Sequence, residues 1–438
     1  MSKPLLIYQA PVATRSGYGD HSRDILKSIF EYDKFDIITI PTRWGNTPQN
    51  QINPTTDFGK KLLSTVGKQV TKQPEVHIQM TVPNEFQKKG KFSIGITAGI
   101  ESTLAPKDWI DGCNRMDLII VPTTFSKEVL EGTSYDEKDS RTGQVLRTFK
   151  ITTPIEVLHE GVELSTFLKS KTKVDVLEGI DSDWNYLFTG HWLKGDLGKD
   201  RKDVGMMIKT FCTVFKNTPK KKQPGLILKT SSAGFSVMDR ENISSKIKEI
   251  TSEFGDKCPP IHLLFGDLSE EEMSSLYHHP KVKAMISFTK GEGYGRPLAE
   301  FATTGKPIIV SKWSGHVDFL PEEHTVFLDG QLTDVHNSAA DKFLLKESKW
   351  FTVNYSDAAN KIYKVFNEYD SYLKKSAGLR TNILSKFTMK KMTEELGKIM
   401  DKYVGTIAIQ KPFQLPKLNK QKPISEQPKL KLPKLNKL

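Results

Sequence analysis

Short runs of apolar and β-branched residues alternate with longer stretches of helical character along most of this chain. Residues 4–10, Phe35–Ile40, Glu75–Met80, Phe92–Thr97, Asp117–Pro122 and Ile155–His159 each read as a short strand. A helix is predicted from about Asp20 to Phe30, and residues 44–73 read as a polar loop followed by one helix. The alternation restarts with strand Asn185–Gly190 and helix Asp203–Phe215. Strands at Gly225–Lys229, Ile261–Phe265, Val282–Phe288, Pro307–Ser311 and Thr325–Leu328 follow. Apolar strands separated by helices imply parallel sheets covered on both faces. The predicted class is therefore α/β with two Rossmann-like halves, divided in the charged stretch Phe167–Trp184. Residues 134–150 read as a surface insertion, and two long helical patterns fill Tyr355–Tyr403.

One stretch carries candidate chemistry. The strand over Val282–Thr289 empties into Gly291-Glu292-Gly293-Tyr294-Gly295-Arg296-Pro297-Leu298-Ala299-Glu300, with a helix predicted over Leu298–Thr304. Proline is accepted in a helix's first turn. Amides at such a turn face forward and favour an anion. Glu292 on the turn and Glu300 about four residues into the helix place one carboxylate on each side, and carboxylates accept hydrogen bonds from sugar hydroxyls well. The plainer alternative is a pair of glutamates that cap and solvate the helix. A second glycine turn, Arg15-Ser-Gly17-Tyr-Gly19-Asp, joins the first strand to its helix.

Two glutamates separated by seven residues, with Gly-Tyr-Gly between and Thr-Gly-Lys-Pro-Ile-Ile-Val after, resemble the donor signature of GT-B glycosyltransferases. The retaining enzymes of family four are the best match. The resemblance implies a nucleoside-diphosphate sugar as co-substrate, no further cofactor and no metal. It implies that Glu292 contacts the transferred sugar, that the amides of Gly293, Tyr294 and Gly295 hold the diphosphate, and that Glu300 binds the ribose. Phe188-Thr-Gly190-His191 followed by Arg201-Lys202-Asp203 is similar to the family's Gly-Arg turn and Lys-Gly pair. Lys202 matches there, while His191 stands where arginine is usual and Arg201 compensates. Gly266-Asp267-Leu268 resembles the loop that frames the base, and Gly17 and Gly19 fall where the first loop lies against the diphosphate. Many members present a histidine near the transferred sugar where this chain has Thr97-Ala-Gly-Ile-Glu101. Glu101 takes that place, with a solvated helix-start carboxylate as the alternative. Catalytic roles are thus implied for Glu292, Lys202 and Glu101. Asp117–Lys127 resembles a strand and helix start at the domain face, with Ser126 as the cap. His159-Glu-Gly-Val-Glu163 resembles a closing turn, and His159 reads as structural.

The resemblance further implies an acceptor-side domain over 1–175, a donor-binding domain over 176–385 and a helix over 386–405 that crosses back to the first. Residues 406–438 are left as a disordered Lys/Pro-rich tail. At 438 residues the chain is long enough for two or three cores. The formal net charge is +12, of which +7 lies in residues 411–438, eight lysines against Glu426. There Pro416-Lys-Leu-Asn-Lys420 recurs as Pro433-Lys-Leu-Asn-Lys437. Such a tail either solubilises or binds an anionic partner such as nucleic acid or a membrane surface. Three cysteines, Cys113, Cys212 and Cys258, without close spacing, fit a reducing compartment, and a start without a leader pattern makes the cytoplasm the expected location. No metal-ligand cluster is read, and adjacent His278 and His279 are explained as cations at a helix C-terminus. The expected activity is retaining sugar transfer to a hydroxyl of a glycan, a lipid-linked saccharide or a modified DNA base. The competing class is an inactive scaffold of the same fold serving as a nucleic-acid or membrane adaptor.

Overall fold

The computed structural model describes residues 3–169, 175–232 and 236–405, so the expectations for the tail lie outside the described residues. The first half runs β1 (Leu5–Ala10), α1 (Gly17–Tyr32), β2 (Asp36–Pro41), α2 (Asp57–Thr65), β3 (Val76–Met80) and β4 (Phe92–Ile96). It continues through α3 (Lys107–Cys113), β5 (Leu118–Val121), α4 (Thr124–Gly132), β6 (Ser134–Lys138), β7 (Val145–Lys150), β8 (Ile155–Val157) and α5 (Leu164–Phe167). The second half runs β9 (Asn185–Thr189), α6 (Val204–Phe215), β10 (Gly225–Lys229), α7 (Val237–Ser252), β11 (Ile261–Leu264) and α8 (Glu270–His278). Then come β12 (Val282–Ser287), α9 (Arg296–Ala302), β13 (Ile308–Ser311), β14 (Val326–Leu328), β15 (Gly330–Asp334) and β16 (Lys349–Val353). Helices α10 (Tyr355–Asn367), α11 (Tyr369–Lys386) and α12 (Met389–Val404) close the described chain.

Two six-stranded parallel sheets result, ordered β2-β1-β3-β4-β5-β8 and β11-β10-β9-β12-β13-β14. Strand order reverses beside β1 in one sheet and beside β9 in the other. At such a reversal the connections leave on opposite faces and open a crevice at the strands' carboxyl ends. The loops after β1, β9 and β12 therefore meet between the sheets. Helix α12 returns to the first half: Met392, Leu396, Ile399 and Met400 join Ile25, Leu26 and Ile29 of α1 in one core, and Ser28 and Thr393 share a hydroxyl hydrogen bond of 2.9 Å.

Several local expectations are corrected. Residues 355–404 hold three helices, because Glu368 leaves helical geometry and Thr388 turns extended, its hydroxyl capping α12 by accepting from Lys391 N. Thr123, not Ser126, caps α4; its hydroxyl accepts from Ser126 N. The insertion at 134–150 is an exposed antiparallel hairpin, β6–β7. A second antiparallel pair, β15–β16, escapes the sequence reading because Gly330–Asp334 is polar and largely exposed. Cys212 and Cys258, 46 residues apart, lie with sulfurs 3.8 Å from each other. Burial lowers the pKa values of His278 and His279, which disfavours the expected pair of helix-end cations, and the two bond Phe167 O and Asp175.

Candidate functional site

The buried strand β12 delivers the glycine turn into the crevice, and its glycines are there for close approach. A Cβ at Gly291 would lie 2.0 Å from Glu101 O, and one at Gly293 would lie 2.1 Å from Ala98 O. Residues 98–101 of the first half thus rest directly on the turn of the second. Thr123 Oγ1 donates to Gly293 O at 2.9 Å across the same junction. Gly295 takes φ +98°, a conformation that L side chains resist, and α9 follows with Pro297 in its first turn.

Glu292 is buried and lies against two cations. Lys202 Nζ pairs with its Oε1, and Arg201 Nη1 lies 3.4 Å from its Oε2. Arg201 also donates to Gly291 O at 2.8 Å and reaches Glu101 Oε1 at 3.0 Å. Burial opposes ionisation of Glu292, but Lys202 and Arg201 outweigh it and hold the pKa at about 2, against an ordinary 4.5. Burial likewise opposes the charge of Arg201, yet Glu101 and Glu292 raise its pKa. Sequence reasoning missed what sets this pair in place. Lys290, fully buried, bonds Asp203 Oδ2 at 2.6 Å, and Tyr355 donates to the same oxygen at 2.8 Å. Lys290 N also donates to Arg201 O at 2.7 Å, which ties the 201–203 segment to the end of β12. A lysine ending an apolar strand was the available signal.

Glu300 sits on the other side of the turn. It accepts from Arg296 Nε at 2.9 Å and from Tyr277 OH at 3.3 Å. Arg296, another residue that sequence reasoning missed, also reaches Asp24 Oδ2 of α1 at 2.6 Å and Glu160 Oε2 at 3.6 Å. Burial raises the carboxyls of Glu300 and Glu160 to about 7 each; Arg296 pulls both down, and neighbouring acids push back. One arginine thus faces Asp20, Asp24, Glu160 and Glu300 from three separated parts of the chain.

The remaining predicted residues fall around these two clusters. His191 bonds Ser231 Oγ at 3.1 Å, and burial together with Lys202 and Arg201 lowers its pKa, so it adds no charge near pH 7. Asp267 pairs with Arg15, bringing the loop at 266–268 to the loop after β1. Gly266 O accepts from Lys229 Nζ at 2.6 Å, and Leu268 packs on the core beneath α9. Gly19 is buried against Thr14, where a Cβ would lie 2.2 Å from Thr14 O; Gly17 is exposed and meets nothing within 4 Å. The Tyr294 side chain turns away from the turn's open side, packs on Phe319 and donates to Glu160 O at 2.6 Å. His159 bonds Asp318 Oδ2 at 3.0 Å. Among the described residues no group of three or more His, Cys, Asp or Glu is placed to hold a metal ion, and no helix is long and apolar enough to cross a membrane.

Two parallel sheets facing a crevice, with the last helix braced on the first half, define a known architecture. The fold is GT-B. The chain aligns with a glycosyltransferase from Rickettsia africae at TM-score 0.57 and 12% identity, over 93% of this chain and 100% of that one. Sucrose-phosphate synthase from Thermosynechococcus elongatus aligns at TM-score 0.56 and 13% identity, over 91% and 98%. Anabaena HepE, solved in complex with UDP and glucose, aligns at TM-score 0.54 and 11% identity, over 91% and 100%. At these identities the likeness establishes the GT-B fold. No protein-family model matches the sequence, and no curated protein matches it.

Proposed function

We propose that this GT-B protein is a retaining glycosyltransferase that uses a nucleoside-diphosphate sugar. The observation that carries the reading is the buried Glu292–Lys202–Arg201 cluster beneath the glycine turn, with Glu300 on the turn's other side. Residues 1–175 form the acceptor side and 176–385 the donor side. Lys202 and the amides of Gly293, Tyr294 and Gly295 stabilise the departing diphosphate, charge that is in place before the bond breaks. The phosphate displaces the Glu292 carboxylate from Lys202, which frees Glu292 to accept from the sugar's hydroxyls. Arg201, 3.4 Å from Glu292 Oε2, still favours the ionised carboxylate once Lys202 is engaged by phosphate. Glu300 accepts from the ribose, and the 266–268 loop borders the base. The acceptor hydroxyl attacks the oxocarbenium-like sugar on the face from which the diphosphate leaves. Glu101 reaches the sugar from the acceptor side. Since residues 98–101 cover the turn, the halves part to admit the donor and close to exclude water. Metal takes no part in this reading.

HepE binds UDP, which makes uridine nucleotides the first donors to try. The full chain is incubated with UDP-, ADP- and GDP-sugars and a panel of glycan, lipid-linked saccharide and modified-DNA acceptors in excess chelator, and release of nucleoside diphosphate is measured. One donor is expected to turn over, with Lys202→Met at least 100-fold slower. Absence of binding to every nucleotide in calorimetry overturns the reading. Binding without turnover, with any acceptor, selects the inactive scaffold instead.

A further inference from the structure

Beside Arg201 the two halves line a partly open cavity of about 230 Å³. Its apolar lining includes an aromatic pair. Trp109 of α3 and Phe343, from the segment between β15 and β16, pack with ring centroids 5.9 Å apart and planes tilted by 49°. The β15–β16 arm is tied to the first half at its base, where Thr103 N donates to Lys349 O at 2.9 Å and Lys349 N to Thr103 Oγ1 at 2.8 Å. The cavity is therefore built jointly by a loop of one half and an arm of the other. Trp109 is also left with a buried indole Nε1–H that has no hydrogen-bond partner.

Its polar groups come in opposed pairs. Glu101 faces Arg201 at 3.0 Å, and Lys194 faces Asp341 at 3.5 Å. Three of these four side chains, Glu101, Lys194 and Asp341, are more than 40% exposed and keep hydrogen-bonding capacity toward the cavity. Cancelled charge gives no long-range pull on a polyanion. An aromatic pair edged by charged donors and acceptors suits a ligand with an apolar face and a girdle of hydroxyls. Those are the properties of a pyranose ring. Arg201 also connects the cavity to the transfer site, since the same Nη1 lies 3.4 Å from Glu292.

We infer that this cavity seats a sugar ring of the acceptor, so that the acceptor is an uncharged glycan and the β15–β16 arm selects it. The inference rests on sugar transfer at Glu292. It separates the glycan from a modified DNA base, whose strand would bring phosphates to a lining in which the four charged side chains cancel.

The test uses the full chain and saturation-transfer NMR with methyl glycosides of glucose, galactose, mannose and N-acetylglucosamine, with nucleoside-diphosphate binding followed by calorimetry in the same samples. At least one glycoside is expected to bind, to lose affinity at least tenfold in Phe343→Ala, and to weaken in Asp341→Asn. Nucleotide affinity should not move in either variant. If nucleotide binds and no glycoside does, the cavity assignment fails while the transferase reading stands. Glycoside binding without nucleotide binding leaves a sugar site but removes the transferase, and with it the assignment of that sugar as an acceptor. Glycoside binding unchanged in both variants overturns the inference. So does Phe343-dependent binding of an oligonucleotide carrying hydroxymethylcytosine when no glycoside binds.

Discussion

Arg296 joins Asp24 of α1, Glu160 and Glu300, so the carboxylate assigned to the ribose is also part of the contact between the halves. Raising the Glu300 pKa from 4.5 to about 7 has two consequences of opposite sign. The folded chain holds a proton that the unfolded chain releases above 4.5, so this group's contribution to stability falls as pH rises from 4.5 through 7. Its capacity to accept two ribose hydroxyls grows over the upper part of that window, as the carboxylate forms. Nucleoside-diphosphate affinity should therefore rise several-fold between pH 6 and pH 8 in the wild type. Glu300→Gln should bind at least tenfold more weakly at pH 8, the value of ~1.5–3 kcal/mol for a charged hydrogen bond. Calorimetry of both proteins across pH checks this, because the ligand's own titration cancels in their ratio. Glu160 titrates in the same range against the same arginine, so the wild-type midpoint belongs to the pair. A ratio that stays flat from pH 6 to 8 removes Glu300 from the ribose.

The element that matters most is the turn between β12 and α9. Gly293→Ala puts a methyl group 2.1 Å from Ala98 O, a backbone atom that no rotamer change can move aside. The collision is expected to cost ~1–3 kcal/mol, the usual penalty of overpacking. It should also lift residues 98–101 off the turn and break the Thr123–Gly293 hydrogen bond. Denaturant unfolding and turnover measured together should both fall. Gly17→Ala is the matched control: its Cβ meets nothing, and a change within ~0.5 kcal/mol is expected. Equal behaviour of the two variants would mean that the turn is not packed as described. The strand and turn were readable from a short apolar run ending in glycines. The reason for two of those glycines was not, because the atoms they avoid, Glu101 O and Ala98 O, come from a loop of the other half.

At the scale of the whole molecule, α12 braces the first half by inserting Met392, Leu396, Ile399 and Met400 beside α1. Leu396 is fully buried there, and Leu396→Ala should cost ~2–5 kcal/mol in thermal or denaturant unfolding. A loss under ~0.5 kcal/mol would show that the helix end is not docked. The sequence by itself determined the two sheets, the order of their elements and the placing of Glu292, Glu300 and Lys202 on turns and helix starts. These are local properties, written in runs of a few residues and in glycine and proline positions. Only the tertiary structure decided which charges meet. Arg296 finds Asp24 across 272 residues, Arg201 finds Glu101, Lys290 anchors Asp203, and Phe343 reaches Trp109. A periodicity states which face of an element is buried. The partner across that face follows from how both sheets close on the crevice, a property of the assembled chain that no window of its sequence contains.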